Sequence, residues 1–264
     1  MNKLVRCAAL TATLAGALAT SPAVQAQEKK ADAPYTLTGN IGLASQYRYR
    51  GIEQTAGKPA VQGGFDVVHA TGLYVGTWAS NVSWLADLGA RGSSLEWDFY
   101  GGYRQSVGDF GYDVGVLRYY YPMRALNGAT AVGPNTTELY VAGTWKTMTL
   151  KYSHSVTDLF GTPDSKGSGY LDLTGTFELG AGFNLVGHVG YQRIPGSAGF
   201  ARSRSDASYT DWKLGVTYDV AGVTLGAAYV DTNARGGAGR FYYQPVVDRD
   251  LGKGTVVLTV SKTF

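Results

Sequence analysis

Cysteine is almost absent from this sequence, since its only one, Cys7, lies close to the N-terminus. The rest of the chain therefore offers neither a disulfide framework nor a thiol nucleophile. Charged residues are also scarce at 16%, below the roughly 25% of soluble globular domains. After residue 26, no segment approaches the ~20 apolar residues that a transmembrane helix needs. If this chain spans a membrane, it must do so as a closed β-barrel.

The first 26 residues have the pattern of a secretory signal peptide. Lys3 and Arg6 precede an apolar run over 7–20, and Val24-Gln25-Ala26 places small side chains at a cleavage site. We therefore predict export with cleavage after Ala26, a short periplasmic lead over 27–34 and a single domain over 35–264. Without Lys3 and Arg6, basic and acidic residues nearly balance, so no basic patch indicates a nucleic-acid partner.

Apolar and polar residues alternate with a period of two along much of the chain, which also contains 37 glycines and 19 tyrosines. In 94–104 (SLEWDFYGGYR), the large apolar side chains fall on one phase, while Glu96, Asp98 and Arg104 fall on the other. Residues 170–179 and 211–220 repeat this pattern. Strand spacing separates the charges from the apolar side chains, whereas helical spacing would scatter them.

The alternation predicts twelve strands, with bounds near 35–50, 61–69, 73–83, 94–104, 110–121, 136–145, 149–157, 170–179, 183–194, 209–219, 223–230 and 254–264. Long connections alternate with tight ones such as 180–182 (GAG) and 220–222 (VAG). This alternation is typical of outer-membrane barrels, with long extracellular loops and short periplasmic turns. We therefore predict an all-β, antiparallel, up-and-down transmembrane barrel. The alternative is a secreted β-sandwich, whose loop lengths have no reason to alternate.

The last strand ends the chain on an aromatic residue. Val256, Leu258, Val260 and Phe264 share one phase, and Phe264 resembles the signal read by barrel-assembly machinery. Lys262 departs from that pattern, although a lysine near the interface can extend its ammonium group to water.

A long block near the N-terminus, residues 45–82, carries a family resemblance. It resembles the TorF porin family of proteobacteria through Arg50-Gly51, Gln54-Thr55, Pro59-Ala60, Gln62-Gly63-Gly64, Asp66, His69, Gly72, Tyr74, Gly76, Trp78 and Ser80-Asn81-Val82. Further matches are Glu96, Asp98, Tyr100, Tyr152-Ser153, 157–161 and 261–264. The resemblance implies an outer-membrane location and a pore, without indicating the solute.

The polar phase of the strands predicts the lining of a narrow, charged channel. Its charged members are Arg48, Arg50, Asp66, Glu96, Asp98, Arg104, Asp113, Glu138, Lys151, Asp172, Glu178, Lys213 and Asp219. The acidic excess favours cations, unless the long loop 231–253 folds inward and places Arg235 or Arg240 at the constriction. The alternative is that these charges pair across the interior and plug it.

Enzymatic interpretations find little support in the sequence. Asp66 and His69 should point to opposite faces of a strand, and the three histidines lack metal-ligand spacing. A barrel phospholipase would need a His-x-Ser pair, but Val156 stands where that serine belongs. We therefore predict a passive diffusion channel for small hydrophilic solutes that is not an enzyme and has no cofactor. Its expected partners are outer-membrane lipid, lipopolysaccharide and barrel-assembly machinery. A receptor or adhesin that does not conduct is the competing function, and the oligomeric state is left open.

Overall fold

The structure is a computed structural model that describes residues 34–87, 90–91, 94–122, 125–126, 133–195, 207–234, 242–244 and 248–264. The predicted signal peptide with its cleavage after Ala26, residues 27–33 of the predicted lead, and Arg235 and Arg240 lie outside the described residues.

Eighteen strands and one short helix are present in the described residues. In chain order they are β1 (Tyr35–Ala44), β2 (Arg48–Tyr49), β3 (Ile52–Glu53), β4 (Ala60–His69), β5 (Leu73–Asn81), α1 (Trp84–Asp87), β6 (Ala90–Arg91), β7 (Leu95–Val107), β8 (Phe110–Tyr120), β9 (Ala125–Leu126), β10 (Thr136–Trp145), β11 (Met148–Ser155), β12 (Gly169–Gly180), β13 (Phe183–Arg193), β14 (Tyr209–Val220), β15 (Val223–Thr232), β16 (Tyr243–Gln244), β17 (Arg249–Asp250) and β18 (Thr255–Thr263).

The twelve long strands form one closed antiparallel barrel, so the predicted fold is confirmed. Neighbours along the chain are paired, and β1 closes the barrel by pairing with β18 as well as β4. The two-residue strands form three small pairs outside the barrel sheet: β2 with β3, β6 with β9, and β16 with β17. These pairs and α1 were not predicted, because two to four residues carry too little periodicity to be recognised.

The first strand was predicted to span 35–50, and its predicted end is wrong. The predicted bounds of the other eleven strands agree with the structure to within three residues. β1 stops at Ala44, and the following residues leave the sheet. Arg50 and Gly51 have φ angles of +46° and +79°, which reverse the chain between β2 and β3. Gln46, Arg48 and Arg50 therefore do not belong to the barrel strand β1, although their side chains are buried as expected.

The outer face of the barrel is a continuous apolar surface. Leu43, Phe99, Leu173, Val216 and Leu258 all point outward and are exposed. The polar phase faces inward, where Glu96 is only 1% exposed. Because apolar side chains cover the outside while charged ones lie inside, this arrangement is the reverse of a soluble protein and matches a barrel surrounded by lipid.

The connections divide the barrel into a loop end and a turn end. The turn end carries tight connections, such as Ala181-Gly182, where φ is positive at both residues (+51° and +83°). Two positive φ angles are what a two-residue hairpin turn with the strand twist requires. Both ends of the barrel sequence lie at the turn end, where the Phe264 N–H donates to the carbonyl oxygen of Gly39.

The largest cluster of buried apolar side chains lies inside the barrel, near its loop end. Tyr47, Trp78, Leu117, Tyr119 and Tyr121 belong to it. A β-sandwich would instead bury its core between two sheets, so the closed barrel excludes that alternative.

Candidate functional site

Residues 45–56, here called the inward segment, fold into the loop end of the barrel. Tyr47, Arg48, Arg50, Ile52 and Glu53 are buried there. Tyr47, Tyr49 and Arg50 form hydrogen bonds with residues on β7, β8, β10 and β13, which lie three to five strands from β1 around the barrel. The inward segment therefore crosses the barrel interior.

Arg50 makes the farthest-reaching contacts of the inward segment. Its Nη2 lies 2.7 Å from Glu138 Oε2 on β10, and its Nη1 donates to Gln192 Oε1 on β13 at 2.8 Å. The guanidinium carbon also lies 4.2 Å from the centroid of the Tyr170 ring. Burial disfavours the charge of Arg50, but the neighbouring Glu138 outweighs this effect, and the pKa of Arg50 lies well above its usual value. Arg50 is therefore a permanent cation tied to the far wall.

Two tyrosines of the inward segment bind the nearer wall. The Tyr47 hydroxyl donates to Glu96 Oε1 at 2.7 Å, and the Tyr49 hydroxyl donates to the Tyr119 hydroxyl at 3.1 Å. Burial, together with the charges of Glu96 and Asp98, raises the pKa of Tyr47. Tyr47 thus stays a hydrogen-bond donor to a buried carboxylate.

The inward segment is also tied to the last long loop. Arg249 donates twice to Glu53, both at 3.1 Å, and Arg48 donates to the carbonyl oxygens of Gly51 and Leu251 at 3.1 and 2.9 Å. The described part of loop 231–253 therefore packs on the inward segment.

Between the inward segment and the turn end, one wall of the barrel interior carries tyrosines that alternate with charged side chains. The Tyr100 hydroxyl donates to Asp66 at 2.8 Å, and the Tyr74 hydroxyl donates to Asp113 at 2.6 Å. Tyr74 and Tyr140 share a short hydroxyl–hydroxyl contact. Two cations lie over tyrosine rings on this wall: Arg104 is 5.0 Å from the Tyr74 centroid, and Lys151 is 4.2 Å from the Tyr140 centroid.

The opposite wall is organised around His188. Its Nε2 lies 2.8 Å from Asp211 Oδ2, and its Nδ1 lies 3.4 Å from Asp172 Oδ2. The Tyr170 hydroxyl donates to Asp211 at 2.9 Å. Lys213 is paired in register with His188 and is half-buried. These groups link β12, β13 and β14 through side chains as well as through the sheet.

The predicted lining residues separate into three groups. Asp66, Glu96, Asp98, Arg104, Asp113, Glu138, Lys151, Asp172 and Lys213 lie on the inward phase of strands, whereas Arg48 and Arg50 belong to the inward segment. Asp219, held by Asn184 and Thr224, and the exposed Glu178 lie at the turn end, at the mouth of the barrel. Asp211 was missing from the prediction, although the alternation in 211–220 had placed it on the polar phase. The inward tyrosines were missed because tyrosine also suits an outward, lipid-facing position.

The serine and histidine side chains weighed for enzymatic roles lie on opposite faces of their strands. Ser153 and Ser155 are buried, while His154 between them is exposed on the outer face. His69 packs against Tyr35 at a centroid distance of 4.9 Å, on the face opposite to Asp66. Among the described residues, no cluster of three or more His, Cys, Asp or Glu side chains could hold a metal ion. None of the described helices is long and apolar enough to cross a membrane.

Solved structures of porins share this fold. The chain resembles a structure described as the KdgM porin with a TM-score of 0.50 at 7% identity, covering 86% of this chain and 98% of that one. It also resembles the NanC porin with a TM-score of 0.50 at 11% identity, covering 87% and 99%. At such low identity the likeness shows the fold alone. No curated protein matches the sequence.

One family model matches residues 28–264, almost the whole predicted mature chain. It describes a bacterial protein of unknown function, Gcw_chp. Membership of the TorF family stays a prediction. This match shows that the chain belongs to the Gcw_chp family.

Proposed function

We propose that this protein is an outer-membrane channel for the passive diffusion of small hydrophilic solutes. The observation that carries the proposal is the inversion of polarity in a closed barrel, apolar outside and charged inside. A protein surrounded by water gains nothing from this arrangement, whereas a lipid-embedded channel needs both faces. The expected partners are outer-membrane lipid, lipopolysaccharide and the barrel-assembly machinery, and no step of the proposal needs a catalytic group or a cofactor.

The inward segment sets the width of the proposed channel. Its buried arginines and tyrosines occupy the loop end of the interior, so solutes must pass beside it or displace it. Lining carboxylates outnumber lining cations, and charges in a low-dielectric wall act at close range on each ion. We therefore propose a narrow channel with a weak preference for cations.

The burial of the inward segment favours a second candidate, a barrel that acts as a receptor or structural protein without conducting. Planar-bilayer recordings of the purified protein separate the two. Discrete conductance steps support the channel, and their absence in both the wild type and a variant lacking residues 47–54 supports the non-conducting barrel.

Orientation in the cell needs a separate test. Cysteine at the exposed Lys166, in a long loop, should react with a membrane-impermeant thiol reagent on intact cells. Cysteine at Ala181, in a tight turn, should react only after the outer membrane is opened. The reverse pattern would place the long loops in the periplasm and reject the proposed orientation.

A further inference from the structure

Asp98 on β7 is a buried carboxylate with no ion-pair partner among the described residues. Its side chain points into the barrel and is 2% exposed, and Oδ1 has no hydrogen-bond partner among the described residues. Buried charges in proteins are normally paired or bind an ion, because removing a carboxylate from water costs several kcal/mol. The surroundings of Asp98 therefore need an explanation.

Aromatic residues flank Asp98 in the barrel sheet. Asp98 is paired in register with Trp78 on β5 and with Tyr119 on β8, and all three side chains are buried on the inner face. The inward segment adds Tyr47, whose ring centroid lies 5.7 Å from that of Trp78, and Tyr49, 5.6 Å from Tyr119. Aromatic faces attract cations through their quadrupoles.

The nearby charged groups have other partners. Arg50 is bound to Glu138, and Glu96 accepts hydrogen bonds from Tyr47 at 2.7 Å and Tyr121 at 2.5 Å. Lys151, three strands farther along the same wall, lies over the Tyr140 ring. Asp98 makes no ion pair with any described residue, because the one arginine of this region, Arg50, is bound to Glu138.

We propose that Asp98 binds a weakly hydrated monovalent cation, potassium or ammonium, between the barrel wall and the inward segment. A single free carboxylate matches a single positive charge, and aromatic rings suit a cation that loses its water easily. A divalent ion would need several oxygen ligands, and the described residues contain no such cluster.

The bound cation would also hold the inward segment in place, because Tyr47 and Tyr49 contribute to its surroundings. Its role in ion passage rests on the proposed channel function, whereas its binding does not. The two can therefore be tested separately.

Thermal unfolding of the purified protein in detergent tests the binding. At constant ionic strength, potassium or ammonium chloride replaces the chloride salt of N-methylglucamine, a much larger organic cation. A ligand that binds only the folded state raises Tm, and we expect a rise of about 2–4 °C in a chain of this size. Asp98→Asn should abolish the rise.

Asp66→Asn is the matched control, since it also removes an inward carboxylate, but one that accepts a hydrogen bond from Tyr100. It should retain the potassium effect. If Asp98→Asn does not fold, Trp78→Leu provides a second variant, which should weaken the effect.

Equal Tm values of the wild type in potassium and in N-methylglucamine would overturn the proposal and indicate a neutral Asp98. So would a potassium effect that persists in Asp98→Asn. An absence of conductance with an intact potassium effect would reject the channel and leave the cation site standing.

Discussion

Arg50 and Glu138 meet inside the barrel with Nη2 2.7 Å from Oε2, although 88 residues separate them in the chain. One belongs to the inward segment and the other to β10, on a distant part of the wall. Both side chains are less than a tenth exposed. This ion pair therefore holds the inward segment in its position inside the barrel.

Replacing Glu138 by Leu leaves the guanidinium of Arg50 buried without a counter-charge. Removing one partner of a buried ion pair lowers the free energy of unfolding by about 3–5 kcal/mol. We also expect a larger and noisier single-channel conductance, because the inward segment loses its anchor. Thermal unfolding and bilayer recordings of the same preparation measure both effects.

The control is the exposed pair of Lys146 and Asp109, whose charged atoms are 4.0 Å apart. Lys146→Gln should change stability by less than about 1 kcal/mol. Equal effects of the Glu138 and Lys146 variants would mean that the buried pair does not hold the inward segment.

Two segments compete for the role of constriction. Deleting residues 47–54 should raise the conductance several-fold if the inward segment is responsible, and barrel pairing should survive because these residues lie outside the barrel sheet. The double variant Arg235→Gln and Arg240→Gln should then have little effect. A large effect of the double variant, with no effect of the deletion, would return the constriction to loop 231–253.

Ion preference follows from the lining. The inward carboxylates, now including Asp211, exceed the inward lysines and arginines, so reversal potentials in a salt gradient should show a weak cation preference. Exposed loop charges are screened within about 8 Å at physiological salt, and should mainly alter entry at low salt. A clear anion preference would contradict the expectation that the charges of the lining control ion selectivity.

The lipid-facing band is tested by two neighbours on β18. Leu258 is exposed on the outer face near the middle of the strand, while Thr259 is on the inward phase. Arginine at Leu258 should cost about 2–4 kcal/mol of unfolding free energy, and arginine at Thr259 much less. Refolding titrations in lipid vesicles measure the difference, and equal costs would mean that the outer face does not contact lipid.

Phe264 lies beside the pairing of β1 with β18 that closes the barrel. Its ring packs against Phe65 at a centroid distance of 6.5 Å, and a Cβ added at Gly39 would lie 2.6 Å from it. Phe264→Ala and Gly39→Val should both reduce the amount of folded protein in the outer membrane. If Phe264 is an assembly signal, Phe264→Ala should still refold in detergent like the wild type. Failure to refold would assign Phe264 a structural role instead.

Much of the fold follows from local pattern. Because a strand has a period of exactly two side chains, the alternation in 94–104, 170–179 and 211–220 was sufficient to predict strands, faces and loop lengths. The same pattern predicted the inward phase of residues such as Glu96 and Asp172. These features depend on neighbours along the chain, so a single sequence determines them.

The arrangement of the barrel interior depends on residues that are far apart in sequence. The alternation around Gln46, Arg48 and Arg50 is compatible with a continued strand, and only the closed barrel offers Glu138, Gln192 and Tyr170 as partners at that position. The Oδ1 of Asp98, which has no hydrogen-bond partner among the described residues, is likewise revealed only by the packing of β5, β8 and the inward segment. Sequence alone thus determined a barrel with a charged interior, whereas the tertiary structure decided what crosses that interior, because long-range contacts rather than periodicity place the inward segment.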